Sequence, residues 1–270
     1  MEIRAVGALL RRFRLLTWAF PLYERYVAFD SKVRKRHAEF NENRANDLPL
    51  PPPHMIMKVA GTPEPLFYFQ GGELAAESIV AILSRHDIEI QNLGAILDFG
   101  CGCGRVLRQW RHLDAVEIHG TDYNQALTKW CSRNLPFARI ANNRLVPPTG
   151  YPDNRFDFVY ALSVLTHLAE PLQLTWMNEF RRILRPSGVL FLSLHGDSYL
   201  PSLNEQERAI FLKGQAVTRF ERSEGTNLCC AFHPESFVRK VLAKDFDVID
   251  YVPEGATGNP HQDVWLLRKR

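Results

Sequence analysis

Strong charge of either sign is absent: 33 Lys and Arg stand against 30 Asp and Glu over 270 residues. That near balance gives no global field for nucleic acid, which is not expected as a partner. No uninterrupted apolar run approaches the roughly 20 residues that a membrane span needs, and no repeat or low-complexity tract recurs. Cysteine is sparse and odd in number, at five. Cys101-x-Cys103 and Cys229-Cys230 lack C-x-x-C spacing, so neither a disulfide framework nor a bound metal is expected. A cleavable signal pattern is missing, because Arg11, Arg12 and Arg14 interrupt the first apolar stretch. A cytoplasmic location follows as the expectation.

What charge there is lies unevenly. Residues 1–58 hold 11 Lys and Arg against 6 Asp and Glu, while the remainder holds 22 against 24. Residues 1–54 read as a basic, mostly helical arm closed by the stiff Leu48-Pro-Leu-Pro-Pro-Pro53 connector. Three roles stay open for the arm: packing on the main domain, a homodimer contact, or peripheral contact with an anionic membrane surface.

Residues 55–270 read as one catalytic domain. An apolar-periodic helix is expected from Glu73 to about Arg85. Short buried strands then alternate with helices: Ala95–Phe99, Val116–Thr121, Phe137–Ala141, Phe156–Ala161 and Val189–Leu194. Strands separated by helices of this length imply parallel pairing through right-handed crossovers. The rhythm breaks over 196–233, expected to cap the acceptor side. It resumes in a helix at Pro234–Ala243 and two strands, Phe246–Tyr251 and Val264–Arg268, joined too closely to be anything but antiparallel. The expected fold is therefore α/β and Rossmann-like: a seven-stranded, mostly parallel sheet with helices on both faces and a terminal antiparallel hairpin.

The densest chemical signal is Asp98-Phe-Gly100-Cys101-Gly102-Cys-Gly104-Arg105, between the first strand and the following helix. Glycine is the residue that lets backbone approach a ligand closely at such a turn. A dinucleotide G-x-G-x-x-G from Gly100 would require glycine at position 105, which is Arg105. Asp122 lies 20 positions beyond Gly102, the spacing of an acid that holds a ribose diol; capping the next helix is the other role open to it.

The alternation D-x-G-x-G-x-G resembles the nucleotide loop of the class I S-adenosylmethionine-dependent methyltransferases. The likeness continues through Phe156-Asp-Phe-Val-Tyr-Ala-Leu-Ser163-Val-Leu-Thr166-His167 and Leu-Arg185-Pro-Ser-Gly188-Val. It implies S-adenosyl-L-methionine as cofactor, with Asp98, Gly100, Cys101, Gly102, Gly104 and Arg105 forming the loop around it. Asp122 and Tyr123 would border the ribose, and Leu162 with Ser163 the methionine moiety. Where many relatives carry an acid for adenine, this chain has Asn142-Asn143. Asn143 is either an amide reading the adenine edge or a turn residue. The Asn/Asp-Pro-Pro-Tyr/Phe motif of amino-methylating relatives is missing after the fourth strand.

The sulfonium is already activated, so such a chain mainly orients an acceptor and excludes water. A hydroxyl acceptor additionally wants a base. His167 and His233 are the candidate catalytic residues, with His195, Tyr199 and Asn227 as pocket neighbours. The expected function is methyl transfer to a small molecule or saccharide, at oxygen. The alternative is a cofactor-binding subunit that is non-catalytic or depends on a partner.

Overall fold

A computed structural model of the chain describes Tyr26 and residues 30–42, 48–259 and 261–270. Of the expected basic arm, residues 1–25, 27–29 and 43–47 lie outside them. The chain divides into two compact units at Phe69/Gln70.

In the first unit, α1 spans Ser31–Glu42 and α2 spans Pro53–Ala60. The expected proline connector thus ends in a helix, because Pro53 stands at the first helical position, where no N–H is required. Arg36 forks onto both carboxylate oxygens of Glu64, and the Phe40 and Phe69 rings stack at 5.1 Å.

Helix α3 runs Pro65–Ser84, eight residues earlier than its apolar periodicity indicates. Its length and mean hydropathy of 1.2 meet the requirement for crossing a membrane, a run that composition did not reveal; half of it is buried within the protein, as in a core helix. Gly71 and Gly72 sit inside α3 instead of breaking it. A Cβ on Gly72 would lie 2.3 Å from the Arg105 carbonyl oxygen, so glycine here permits a close backbone crossing.

The second unit carries the sheet. Its strands are β1 Ala95–Phe99, β2 Glu117–Asp122, β3 Arg139–Asn142, β4 Phe156–Leu162 and β5 Leu184–His195. Two short strands, β6 Val217–Arg219 and β7 Cys230–Phe232, pair separately from it. The sheet ends with β8 Phe246–Val252 and β9 Gln262–Lys269. Its order is β3-β2-β1-β4-β5-β9-β8; the first five strands are parallel, and β9 and β8 are antiparallel. This is the expected seven-stranded arrangement. β1 and β4 are the neighbours at which strand order reverses, so their carboxyl ends define the crevice where ligands bind in open α/β sheets.

Helices α4 Gln125–Asn134, α5 Glu170–Ile183, α6 Glu205–Leu212 and α7 Glu235–Phe237 follow, the last continuing as a π-helical turn Val238–Leu242. The helix expected to follow the glycine loop is instead a 3-10 segment, Leu107–His112. Leu97, Phe99, Val159, Leu190, Leu192 and Trp265 share a core with Trp176 and Phe180 of α5. Phe99 meets those two rings at 4.5 and 4.8 Å. Asp157 lies at the opposite end of the strands from the crevice. It accepts from the Gly94 and Ala95 N–H groups and from Arg185, tying three strands together.

Candidate functional site

The glycine loop folds onto the end of β2. The Gly100 and Cys101 N–H groups both donate to the Thr121 carbonyl, at 2.8 and 3.0 Å. Gly102 N donates to Asp122 Oδ2 at 3.0 Å. All three glycines have left-handed φ: 79° at Gly100, 54° at Gly102 and 79° at Gly104. A Cβ at Gly100 would lie 2.4 Å from Val164 Cγ2, and one at Gly104 would lie 2.4 Å from Leu135 Cδ1. Both conformation and space therefore call for glycine at these two positions.

Asp122 accepts on both oxygens, from Gly102 N and, through Oδ1, from Asn124 N at 2.7 Å. It is not the helix cap: Asn124 caps α4 by accepting from Ala126 N. Each Asp122 oxygen keeps a further lone pair, which suits a ribose diol. Burial raises its pKa. Asp98, deeper in the loop, is pushed up to about 7 by burial, against hydrogen bonding from Tyr160 and the nearby Arg105 charge. Tyr160 is itself braced by Trp110 Nε1, which donates to its hydroxyl at 2.8 Å.

Other loop residues are engaged in the scaffold. Arg105 donates to the Gly258 carbonyl at 3.1 Å and to Asn259 Oδ1 at 2.6 Å, fastening the loop to the β8–β9 connection. The buried Cys101 thiol turns inward toward the Gly102 carbonyl, 3.8 Å away. Its pKa is raised by a hydrogen bond with Cys131 and by burial. Asn143 accepts from Thr121 Oγ1 at 2.9 Å and donates to the Arg144 carbonyl at 2.6 Å, leaving one N–H and one oxygen lone pair of its amide. Tyr123 reaches away from the loop and donates its hydroxyl to the Gly225 carbonyl in the cap.

Residues of the 196–233 segment, the expected cap, bond to the turn that follows β4 and to the end of β5. Gly225 N donates to the His167 carbonyl at 2.8 Å, and Ala169 N donates to Glu224 Oε1 at 2.7 Å. His167 sits in the 3-10 turn Leu165–His167 after β4. Its Nδ1 lies 2.8 Å from the Cys229 carbonyl, which can only accept, so Nδ1 carries the proton and Nε2 presents a lone pair. Burial lowers the pKa and keeps the ring neutral. His195, at the end of β5, repeats the device: Nδ1 lies 3.0 Å from the Ala231 carbonyl, and burial lowers its pKa to about 4. The carbonyls of Cys229, just before β7, and of Ala231, within it, thus orient the two imidazoles. The Tyr199 and Phe232 rings lie 4.3 and 5.4 Å from that of His195.

His233 does not fit the catalytic role expected of it. It is fully buried, and its Nε2 faces Gln173 Oε1 at 3.2 Å. Gln173 Nε2 already donates to the Leu165 and Leu168 carbonyls, which fixes that amide and makes His233 Nε2 the donor. Its Nδ1 is left buried with no partner, and burial lowers its pKa to about 3. A ring sealed in this way cannot touch an acceptor; its backbone N–H instead clamps the cap to the His195 carbonyl at 2.8 Å. No group of three or more metal-ligating side chains occurs among the described residues.

The comparisons agree with this architecture. A family profile described as a methyltransferase domain matches residues 97–192. A malonyl-[acyl-carrier protein] O-methyltransferase of Enterobacter lignolyticus is 30% identical over 182 residues, 66% of this chain and 68% of that protein. A ubiquinone biosynthesis O-methyltransferase of Cereibacter sphaeroides is 29% identical over 36% of this chain and 40% of its own. A sterol 24-C-methyltransferase of Gibberella zeae is 30% identical over 38% and 28%. The chain thus spans less than half the length of these last two. Among solved structures, a methyltransferase of Methanosarcina mazei superposes at TM-score 0.51, with 20% identity over 69% of this chain and 96% of its own. A Burkholderia thailandensis 1,6-didemethyltoxoflavin-N1-methyltransferase, solved with bound 1,6-didemethyltoxoflavin and S-adenosylhomocysteine, superposes at TM-score 0.53, with 18% identity over 83% of this chain and 92% of its own. The chain belongs to the class I S-adenosylmethionine-dependent methyltransferases. It is accordingly a methyl-transferring enzyme whose cofactor is S-adenosyl-L-methionine.

Proposed function

We propose that the protein methylates a hydroxyl oxygen of an uncharged small molecule or saccharide, with His167 as general base. The observation that carries this reading is the His167 tautomer: Nδ1 is fixed on the Cys229 carbonyl, and Nε2 has no partner among the described residues. A neutral imidazole near a hydroxyl takes its proton as the oxygen–methyl bond forms. His195 offers a second uncharged lone pair beside it, which suits a hydroxyl-bearing acceptor. Two relatives are named O-methyltransferases, which agrees with oxygen as the target atom.

The cofactor's loop is Asp98, Gly100, Gly102 and Gly104, with Asp122 on the ribose diol and Leu162 and Ser163 beside the methionine end. Bound there, S-adenosylmethionine supplies the activated methyl group. Asp98 faces the ammonium side, and the cap over His167 excludes water from the transfer.

The test pairs calorimetric titration with S-adenosylhomocysteine and turnover against a panel of hydroxylated acceptors. Asp122→Ala should abolish saturable binding. His167→Ala should leave binding intact and lower turnover by about 10²- to 10⁴-fold. Full turnover in His167→Ala would remove the base assignment, and unimpaired binding in Asp122→Ala would remove the ribose assignment.

A further inference from the structure

The carboxyl ends of β4 and β5 and the amino end of the antiparallel β9 meet in a closed hydrogen-bond ring that neither the glycine loop nor the histidines use. Ser163, immediately after β4, has φ of 58°, a conformation that a residue with a side chain keeps only where its surroundings hold it. Its N–H donates to Ser193 Oγ at 2.8 Å. Ser193 Oγ donates to Gln262 Oε1 at 2.7 Å, and Gln262 Nε2 returns to Ser163 Oγ at 2.7 Å. Ser163 Oγ lies 2.9 Å from Thr166 Oγ1, which donates to the Ser163 carbonyl at 2.6 Å. Each proton then has one direction. Because the amide N–H can only donate and the amide oxygen only accept, Ser193 donates to Gln262 and Ser163 donates to Thr166. Ser193, Thr166 and Gln262 are all buried, so water does not replace a missing partner.

The turn held in this way does two things. It forms the wall at Ser163, and it launches the 3-10 turn Leu165–His167 that carries the base. We infer that Gln262, on the terminal antiparallel strand, is a positioning residue for methyl transfer, acting through the Ser193 and Ser163 hydroxyls to hold the Ser163 turn beside the methyl donor. This rests on the reading of Ser163 as a neighbour of the cofactor's methionine end.

The test is Gln262→Met, which keeps the volume and removes both polar atoms. Calorimetry should show S-adenosylhomocysteine affinity falling about tenfold, the scale of a released left-handed residue. Adding Ser163→Gly to that variant should recover most of the loss, because glycine holds a positive φ without restraint. A merely structural role would lower Tm without the affinity loss, and glycine would rescue nothing. Should Gln262→Met fail to fold, Gln262→Glu keeps the acceptor for Ser193 and, when ionised, loses the donor to Ser163; the same loss is expected. Binding within about twofold of wild type in a folded variant, or a loss that Ser163→Gly leaves in place, overturns the inference. Ser163→Phe separates the two ideas. If it binds as wild type does, the placement of Ser163 beside the cofactor is wrong; if it blocks binding while Gln262→Met does not, only the role of Gln262 is wrong.

Discussion

At the ends of β1 and β2 the assembled groups are backbone amides, three left-handed glycines and two buried carboxylates. At the ends of β4 and β5 they are imidazoles and hydroxyls held by carbonyls and an amide from elsewhere in the chain. The first half is short-range: Gly102 meets Asp122 at a separation of 20, and Gly100 meets Thr121 across a similar stretch. The second is long-range: His167 meets Cys229 at a separation of 62, and Ser163 meets Gln262 at 99. On the proposed reading, the cofactor is met by backbone geometry, whereas the acceptor would be met by side chains whose placement residues 196–233 decide.

That contrast also sets what the sequence discloses. Strand alternation and the close terminal pair implied the seven-stranded sheet, because βαβ units and a short connection leave few topologies. The glycine loop was legible because positive φ leaves a residue-type signature. His167 could be singled out, but its tautomer could not, since the Cys229 carbonyl that fixes it is remote. His233 looked equivalent in sequence; only its burial against Gln173 removes it. Gln262 and Ser193 gave no local signal at all, being ordinary polar residues within strands. The start of α3 was placed late because its apolar periodicity is clear only from Glu73, whereas Gly72 lies within the helix and permits close packing against Arg105.

If the first half works through backbone shape, the largest effect should come from a single methyl group placed there. Gly100→Ala forces a left-handed φ on a side chain and drives its Cβ toward Val164. Strain and overpacking together cost about 2–4 kcal/mol. S-adenosylhomocysteine affinity should fall on the order of 100-fold, with a lowered Tm. Affinity within threefold of wild type would mean that side chains dominate this half too.

The two halves should also differ in their response to pH. Asp98 titrates near 7, its proton held by burial, whereas burial keeps His167 and His195 neutral. If Asp98 meets the cationic end of the cofactor, as proposed, affinity should rise with pH through about 7 and level off above it. Below that point the slope approaches tenfold per unit. Folding should show the reverse dependence: burial raises the folded pKa above 3.8, so stability from the protonated carboxyl is present at low pH and lost as pH rises toward about 7. Asp98→Asn should flatten both curves, as read by calorimetry and thermal melts from pH 5 to 8. A cofactor pH profile unchanged in Asp98→Asn would assign the titration to another group.

Arg105 is where the smallest ligand effect is expected, and where sequence position and physical role part most clearly. It closes the glycine motif, yet its guanidinium forks onto Gly258 and Asn259 across 153 and 154 positions. Arg105→Lys keeps the charge and loses the fork, because an ammonium cannot place donors on two such acceptors in one plane. The expected result is about 1 kcal/mol of lost stability, the scale of one weakened charge-assisted hydrogen bond. Cofactor affinity should change by less than about threefold. A tenfold loss of affinity at unchanged Tm would instead place this guanidinium on the ligand carboxylate. The hairpin connection would then be the side of Arg105 that can be given up, and the cofactor half would no longer rest on backbone and carboxylates alone.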